Sequence, residues 1–106
     1  MLFRSPTVAQ LHADLVWATV GLTFALALGL RLTGAPRPVQ RRGVELLAVE
    51  LAQGAIGYVQ YATNVPSALV IVHVLGSTLV WIAALRVMFA LRDRGGPHPV
   101  PAMAIA

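Results

Sequence analysis

Three long apolar stretches, residues 11–32, 44–61 and 69–91, decide what this 106-residue chain can fold into. Each approaches or exceeds the roughly 20 residues that a helix needs to cross the hydrocarbon core of a bilayer. Only 11% of the residues are charged and 58% are hydrophobic, whereas a soluble domain averages roughly 25% charged residues. Too little polar surface is present to cover a water-soluble sphere. The sequence predicts an all-α membrane protein with three transmembrane helices, in contact with a lipid bilayer.

Helix breakers divide the stretches. Ser5-Pro6 offers an N-cap followed by proline in the first turn, and Thr33-Gly34-Ala35-Pro36 ends the first helix. The expected spans are residues 6–32, 43–61 and 66–92, within a membrane domain of residues 1–94. A short Arg/Pro loop joins the first two, and the uncharged stretch from Ala62 to Ser67 joins the last two. The proline-rich tail, residues 95–106, has no periodic pattern and is expected to be disordered.

All eight basic residues are Arg, and they cluster at segment ends: Arg31, Arg37, Arg41 and Arg42, then Arg92 and Arg94. This is the positive-inside pattern rather than a basic face for nucleic acid, and no nucleic-acid partner is expected. It places the first connection and the C-terminus in the cytoplasm and the N-terminus outside, in a multi-pass plasma-membrane protein. The absence of cysteine removes disulfides and thiolate metal sites. No cleavable signal peptide is apparent.

Within the apolar stretches two histidines stand out, His12 and His73, 61 positions apart. Ionisable side chains inside a span are costly, and each is a functional hypothesis by default. His12 lies six residues past Pro6 and His73 seven past Pro66. At ~1.5 Å per residue both sit roughly 10 Å below the outer boundary. Two imidazoles at one depth on two parallel helices suit axial ligation of a metal, with haem iron the obvious one. Taken singly, His12 also reads as an interfacial residue and His73 as a structural hydrogen-bonding group.

Gly76, Ser77, Val80 and Ala84 share the face of His73; such small residues permit close helix packing and equally leave room for a flat macrocycle. Gly21, Ala25 and Gly29 form a packing stripe on the first helix. On the second, Glu50, Gln53, Gly54, Gly57, Gln60 and Tyr61 fall on one face. That face must turn to a protein interior, a cavity or a cofactor, because a charge at mid-span costs ~2.5–3.5 kcal/mol. Glu50 reads either as a proton-handling group or as a structural hydrogen bond to another helix. Glu45 is placed to pair with Arg41 or Arg42, Arg86 to snorkel to the cytoplasmic surface, and Asp14 to face headgroups or solvent. Trp17 and Trp81 read as apolar or interfacial side chains, and His98 in the tail as inert.

The stretch Glu50-Leu-Ala-Gln-Gly-Ala-Ile-Gly-Tyr-Val-Gln-Tyr61, the loop Ala62-Thr-Asn-Val-Pro66 and Leu69-Val-Ile-Val-His-Val-Leu-Gly76 resemble the last two transmembrane helices of haem A synthase. Gln10-Leu-His-Ala-Asp-Leu-Val16 resembles the start of that family's sixth helix. The likeness covers about residues 8–92. It implies three of the four helices of a haem-binding half-bundle, with His12 and His73 as axial ligands of a haem b that passes electrons. The parent enzymes oxidise haem O towards haem A using a second His pair and a carboxylate in their N-terminal half. Neither is present here. The chain is expected to be an incomplete oxidoreductase, inactive alone, a fragment or truncated product whose missing half or partner membrane chain lies elsewhere.

Two other readings compete. A non-enzymatic subunit packing on a respiratory complex explains the Gly/Ala stripes but not the matched histidines. A proton-pathway element built on Glu50 is the third.

Overall fold

The computed structural model describes residues 5–92, which form three helices: α1 (Ser5–Leu32), α2 (Arg37–Ala62) and α3 (Ser67–Arg92). The tail expected to be disordered, with His98, lies outside the described residues. Consecutive helices reverse direction, so α1 and α3 are parallel and α2 returns between them.

Both reversals use a left-handed residue to stop a helix. After α1, Gly34 takes φ +69°, and the amide of Ala35 reaches back to Leu30 O at 2.9 Å. After α2, Asn64 takes φ +62°, and the Val65 amide bonds Gln60 O at 2.8 Å. Each is the six-to-one closure that satisfies carbonyls left open at a helix end. Glycine and asparagine are the residues that adopt this conformation at least cost. Val65 follows at φ +56°, unusual for a β-branched residue.

α2 begins at Arg37 rather than near Gly43. The residues expected to form an Arg/Pro loop are helical because Pro36 occupies the N-cap with φ −53°, and a second proline follows in the first turn, where no N–H is needed. Arg37, Arg41 and Arg42 therefore stand on the first turns of α2.

Two helices, α1 (over Thr7–Leu32) and α3, are long and apolar enough to cross a membrane. Only 6% of each such window is buried within the chain. A core helix of a soluble protein would be mostly covered by its neighbours; here Leu22, Leu32, Leu75 and Trp81 are among many large apolar side chains turned outward. α2 falls short of that apolarity because it carries Glu45, Glu50, Gln53 and Gln60. Its buried residues are Gly43, Leu46 and Glu50.

The packed centre lies towards the α1–α2 turn. Leu46, Ala83 and Val87 form a small buried cluster with Leu26, Val49, Val80 and Ala84 against it. Val80 and Ala84 thus serve α2–α3 packing rather than room beside His73. Gly43 admits Leu30 of α1: a Cβ there would stand 3.3 Å from Leu30 Cδ1. α1 and α3 do not pack on each other. Each packs on α2, but no Cα of α1 comes within 8 Å of a Cα of α3.

Candidate functional site

Across that separation the two histidines face each other. Their ring centroids lie 6.3 Å apart, with ring planes at 84°. Parallel helices and matched distances from their N-termini produce the levelling: each ring stands about two turns into its helix. His12 is exposed and His73 half-buried.

A groove of about 600 Å³ opens beside them, lined by Ala13, Trp17, Glu50, Gly54, Tyr58 and both histidines among others. It lies between the N-terminal half of α1 and the C-terminal half of α2. Small residues widen it, and its volume falls in the range of roughly 300–1,000 Å³ common to small-molecule and cofactor sites. Trp17 closes one wall by donating its indole N–H to the Tyr58 hydroxyl at 2.7 Å, a link that the reading of Trp17 as an apolar or interfacial side chain does not foresee.

At the inner end stands Glu50, only 5% exposed. The Thr23 hydroxyl of α1 donates to its Oε1 at 3.0 Å, and Oε2 has no partner among the described residues. The polar face of α2 therefore turns to its neighbours and the groove. Thr23 was not among the residues singled out from sequence; a lone threonine in an apolar run carries no signal until its depth matches that of a carboxylate.

Gly57, not Gly76, makes room for the imidazole. A Cβ on Gly57 would lie 3.3 Å from His73 Cε1, whereas a Cβ on Gly76 would overlap Oε1 of Gln53. Gln53 spends its amide on α3, donating Nε2 to His73 O at 2.8 Å. Gly76 is thus a packing glycine for a side chain of α2.

Other charged residues stand apart. Glu45 pairs with Arg42 at 3.3 Å and with Arg86 at 3.4 Å, so the Arg86 side chain ends on α2. Asp14 accepts from Gln10 at 2.8 Å, away from His12. Gly21 and Gly29 have open space where a Cβ would stand, so these two glycines of the α1 stripe pack against no other described residue.

The fit of a haem rests on the donors present. Two metal–nitrogen bonds of about 2.0–2.1 Å, with roughly half a ring at either end, set two axial imidazole centres about 6.3 Å apart. The observed centroid spacing is of that size, with the rings in a T-shaped arrangement. Among the described residues no cluster of three or more His, Cys, Asp or Glu gathers to hold a bare ion.

Comparison with protein-family models, with curated proteins and with solved structures finds no match.

Proposed function

We propose that His12 and His73 are the axial ligands of a haem b, and that the chain is the electron-transferring, C-terminal portion of a haem A synthase-type membrane oxidoreductase. The observation that carries the first part is the 6.3 Å spacing of two imidazoles on helices that otherwise keep apart. Two protein ligands leave the other positions of a metal to be filled from elsewhere, and a porphyrin supplies four in one plane. The family assignment rests on the order of Gln10 to Val16, Glu50 to Tyr61 and Leu69 to Gly76 along the chain.

Bound haem would supply one-electron transfer, tuned by axial ligands and burial. The chain's residues hold and shield it. His12 and His73 bind, Gly54 and Gly57 leave space, and the Trp17–Tyr58 link covers one wall. The polar face of α2 is turned inward, which supports α2 as a third span despite its lower apolarity. Arg residues at the start of α2 and the end of α3 support a cytoplasmic C-terminus and an outside N-terminus in the plasma membrane.

The test is a reduced-minus-oxidised absorption spectrum of the chain in haem-replete membranes, alone and with a supplied haem A synthase N-terminal half. A sharp alpha band that disappears in both His12→Ala and His73→Ala supports the reading. A chain that binds no haem in either setting overturns it.

One observation favours a second reading, a non-enzymatic subunit of a larger membrane complex: Gly21 and Gly29 of the α1 stripe meet no other helix among the described residues. A stoichiometric partner whose binding is unaffected by both His substitutions, in a chain without haem, would select it.

A further inference from the structure

Between Val44 and Ala62 the exposed residues of α2 are Val, Ala, Leu and Tyr without exception, whereas Glu45, Glu50, Gln53 and Gln60 are half-buried or buried. The outward face of α2 is therefore apolar although the helix as a whole is not. Arg37, Arg41, Val44, Ala48 and Leu51 follow one another at steps of four, three, four and three, the spacing that keeps side chains on one helical face. All five are exposed. A charged head thus runs without a break into an apolar stripe.

The two arginines at that head have no acidic counterpart. Among the described residues the carboxylates are Asp14, Glu45 and Glu50. Asp14 accepts from Gln10 near the start of α1, Glu50 is buried against Thr23, and Glu45 pairs with Arg42 and Arg86. Arg37 and Arg41 make no ion pair with a described residue. From Arg41 to Leu51, at the rim of the groove, the stripe covers about 15 Å at ~1.5 Å per residue. That is half of the ~30 Å hydrocarbon core, the depth of one leaflet.

We propose that this face of α2 is a docking surface for an anionic phospholipid, with the phosphate at Arg37 and Arg41 and an acyl chain along Val44, Ala48 and Leu51. A guanidinium presents a planar fork that matches phosphate oxygens. Two unpaired positive charges select a headgroup of net negative charge over a zwitterionic one. An acidic partner protein would answer the charges, but the apolar run of one leaflet's depth below them is what an acyl chain matches. The proposal is independent of haem and rests on the reading of α2 as a span.

The experiment counts the lipid retained by the full chain, by native mass spectrometry from mixed micelles carrying phosphatidylglycerol or phosphatidylcholine. Phosphatidylglycerol is expected to be preferred. The preference should fall about fivefold in Arg37→Gln and in Arg41→Gln, and about 25-fold in the pair, the worth of one basic residue beside an anionic surface taken once and twice. Arg92→Gln removes the same charge from the end of α3, six residues beyond the Arg86 that pairs with Glu45, and should leave the preference unchanged. An equal loss in Arg92→Gln would reveal diffuse attraction and overturn the site, as would displacement of the lipid by inorganic phosphate. The chain has no cysteine, so Leu51→Cys sets a single thiol on the face, expected to resist a water-soluble maleimide and to form no disulfide between copies. A disulfide would put a second copy on the face in place of lipid. Labelling would remove the reading of α2 as a span together with the proposal. Protection without a preference for phosphatidylglycerol would overturn the proposal and keep the span.

Discussion

Gly57 lies directly against the His73 imidazole, with 3.3 Å between its absent Cβ and Cε1 of the ring. That contact is tighter than an ordinary van der Waals approach, so the ring must shift by a few tenths of an ångström to admit a methyl group. Gly57→Ala is expected to lower haem retention modestly, and Gly57→Leu to abolish the alpha band while far-UV circular dichroism keeps its helical signal. Full haem content in Gly57→Leu would show that His73 does not work from this seat.

Gly76 and Gln53 make a second, separable interlock. A Cβ on Gly76 would overlap Oε1 of Gln53 and stand 2.7 Å from its Cδ, forcing the side chain out of its bond to His73 O. Gly76→Ala should destabilise the α2–α3 pair by about 1–3 kcal/mol, the range for overpacking, as read by unfolding in mixed detergent micelles. In a double-mutant cycle with Gln53→Ala the effects should be strongly non-additive, since the shorter side chain removes the clash. Additive effects would contradict the interlock.

Thr23 is the hydrogen-bond partner that Glu50 finds among the described residues, across the α1–α2 interface. Thr23→Val keeps the shape and deletes the donor. Interhelical hydrogen bonds in membranes are worth about 0.6–2 kcal/mol, and a loss of that size is expected in the same unfolding assay. Thr23→Ser should retain most of the stability. A loss in Thr23→Ser with none in Thr23→Val would point to packing of the methyl group instead.

The Glu45 pairs should matter far less. The Glu45 and Arg86 side chains are 36% and 48% exposed, and solvated ion pairs contribute about 0–1 kcal/mol, less at high salt. Arg86→Gln is expected to change stability by under about 1 kcal/mol, with a weaker salt dependence in the variant, which keeps the Arg42–Glu45 pair. A larger loss would mean that the pair is desolvated.

How far the sequence discloses the structure differs between the helices and the site. Helix breaks at Gly34 and Asn64 are legible because left-handed backbone and proline restrict the chain locally. The pairing of His12 with His73 is legible from depth alone, since equal distances from two helix starts set equal levels. The start of α2 is not: Arg37, Arg41 and Arg42 look like a loop by charge, while Pro36 and the proline after it favour a helix. Nor is the division of labour between Gly57 and Gly76. Both are small residues near His73, and only the azimuth of α2 against α3 decides which one faces the ring and which one faces Gln53. Thr23 and the Trp17–Tyr58 link likewise depend on how α1 rotates against α2, which periodicity in a nearly all-apolar helix does not reveal.

The most direct test of the central claim reads both rings at once. Were both rings to ligate one iron with the 84° between their planes kept, the iron dπ orbitals would be nearly equal in energy, because each ring would interact with a different one. Ferric haem bound to this chain should therefore give the highly anisotropic low-spin electron paramagnetic resonance signal of perpendicular axial ligands. Loss of that signal to high spin in His12→Ala and in His73→Ala would complete the case. A high-spin wild-type spectrum, or the rhombic low-spin signal of parallel rings, would contradict it.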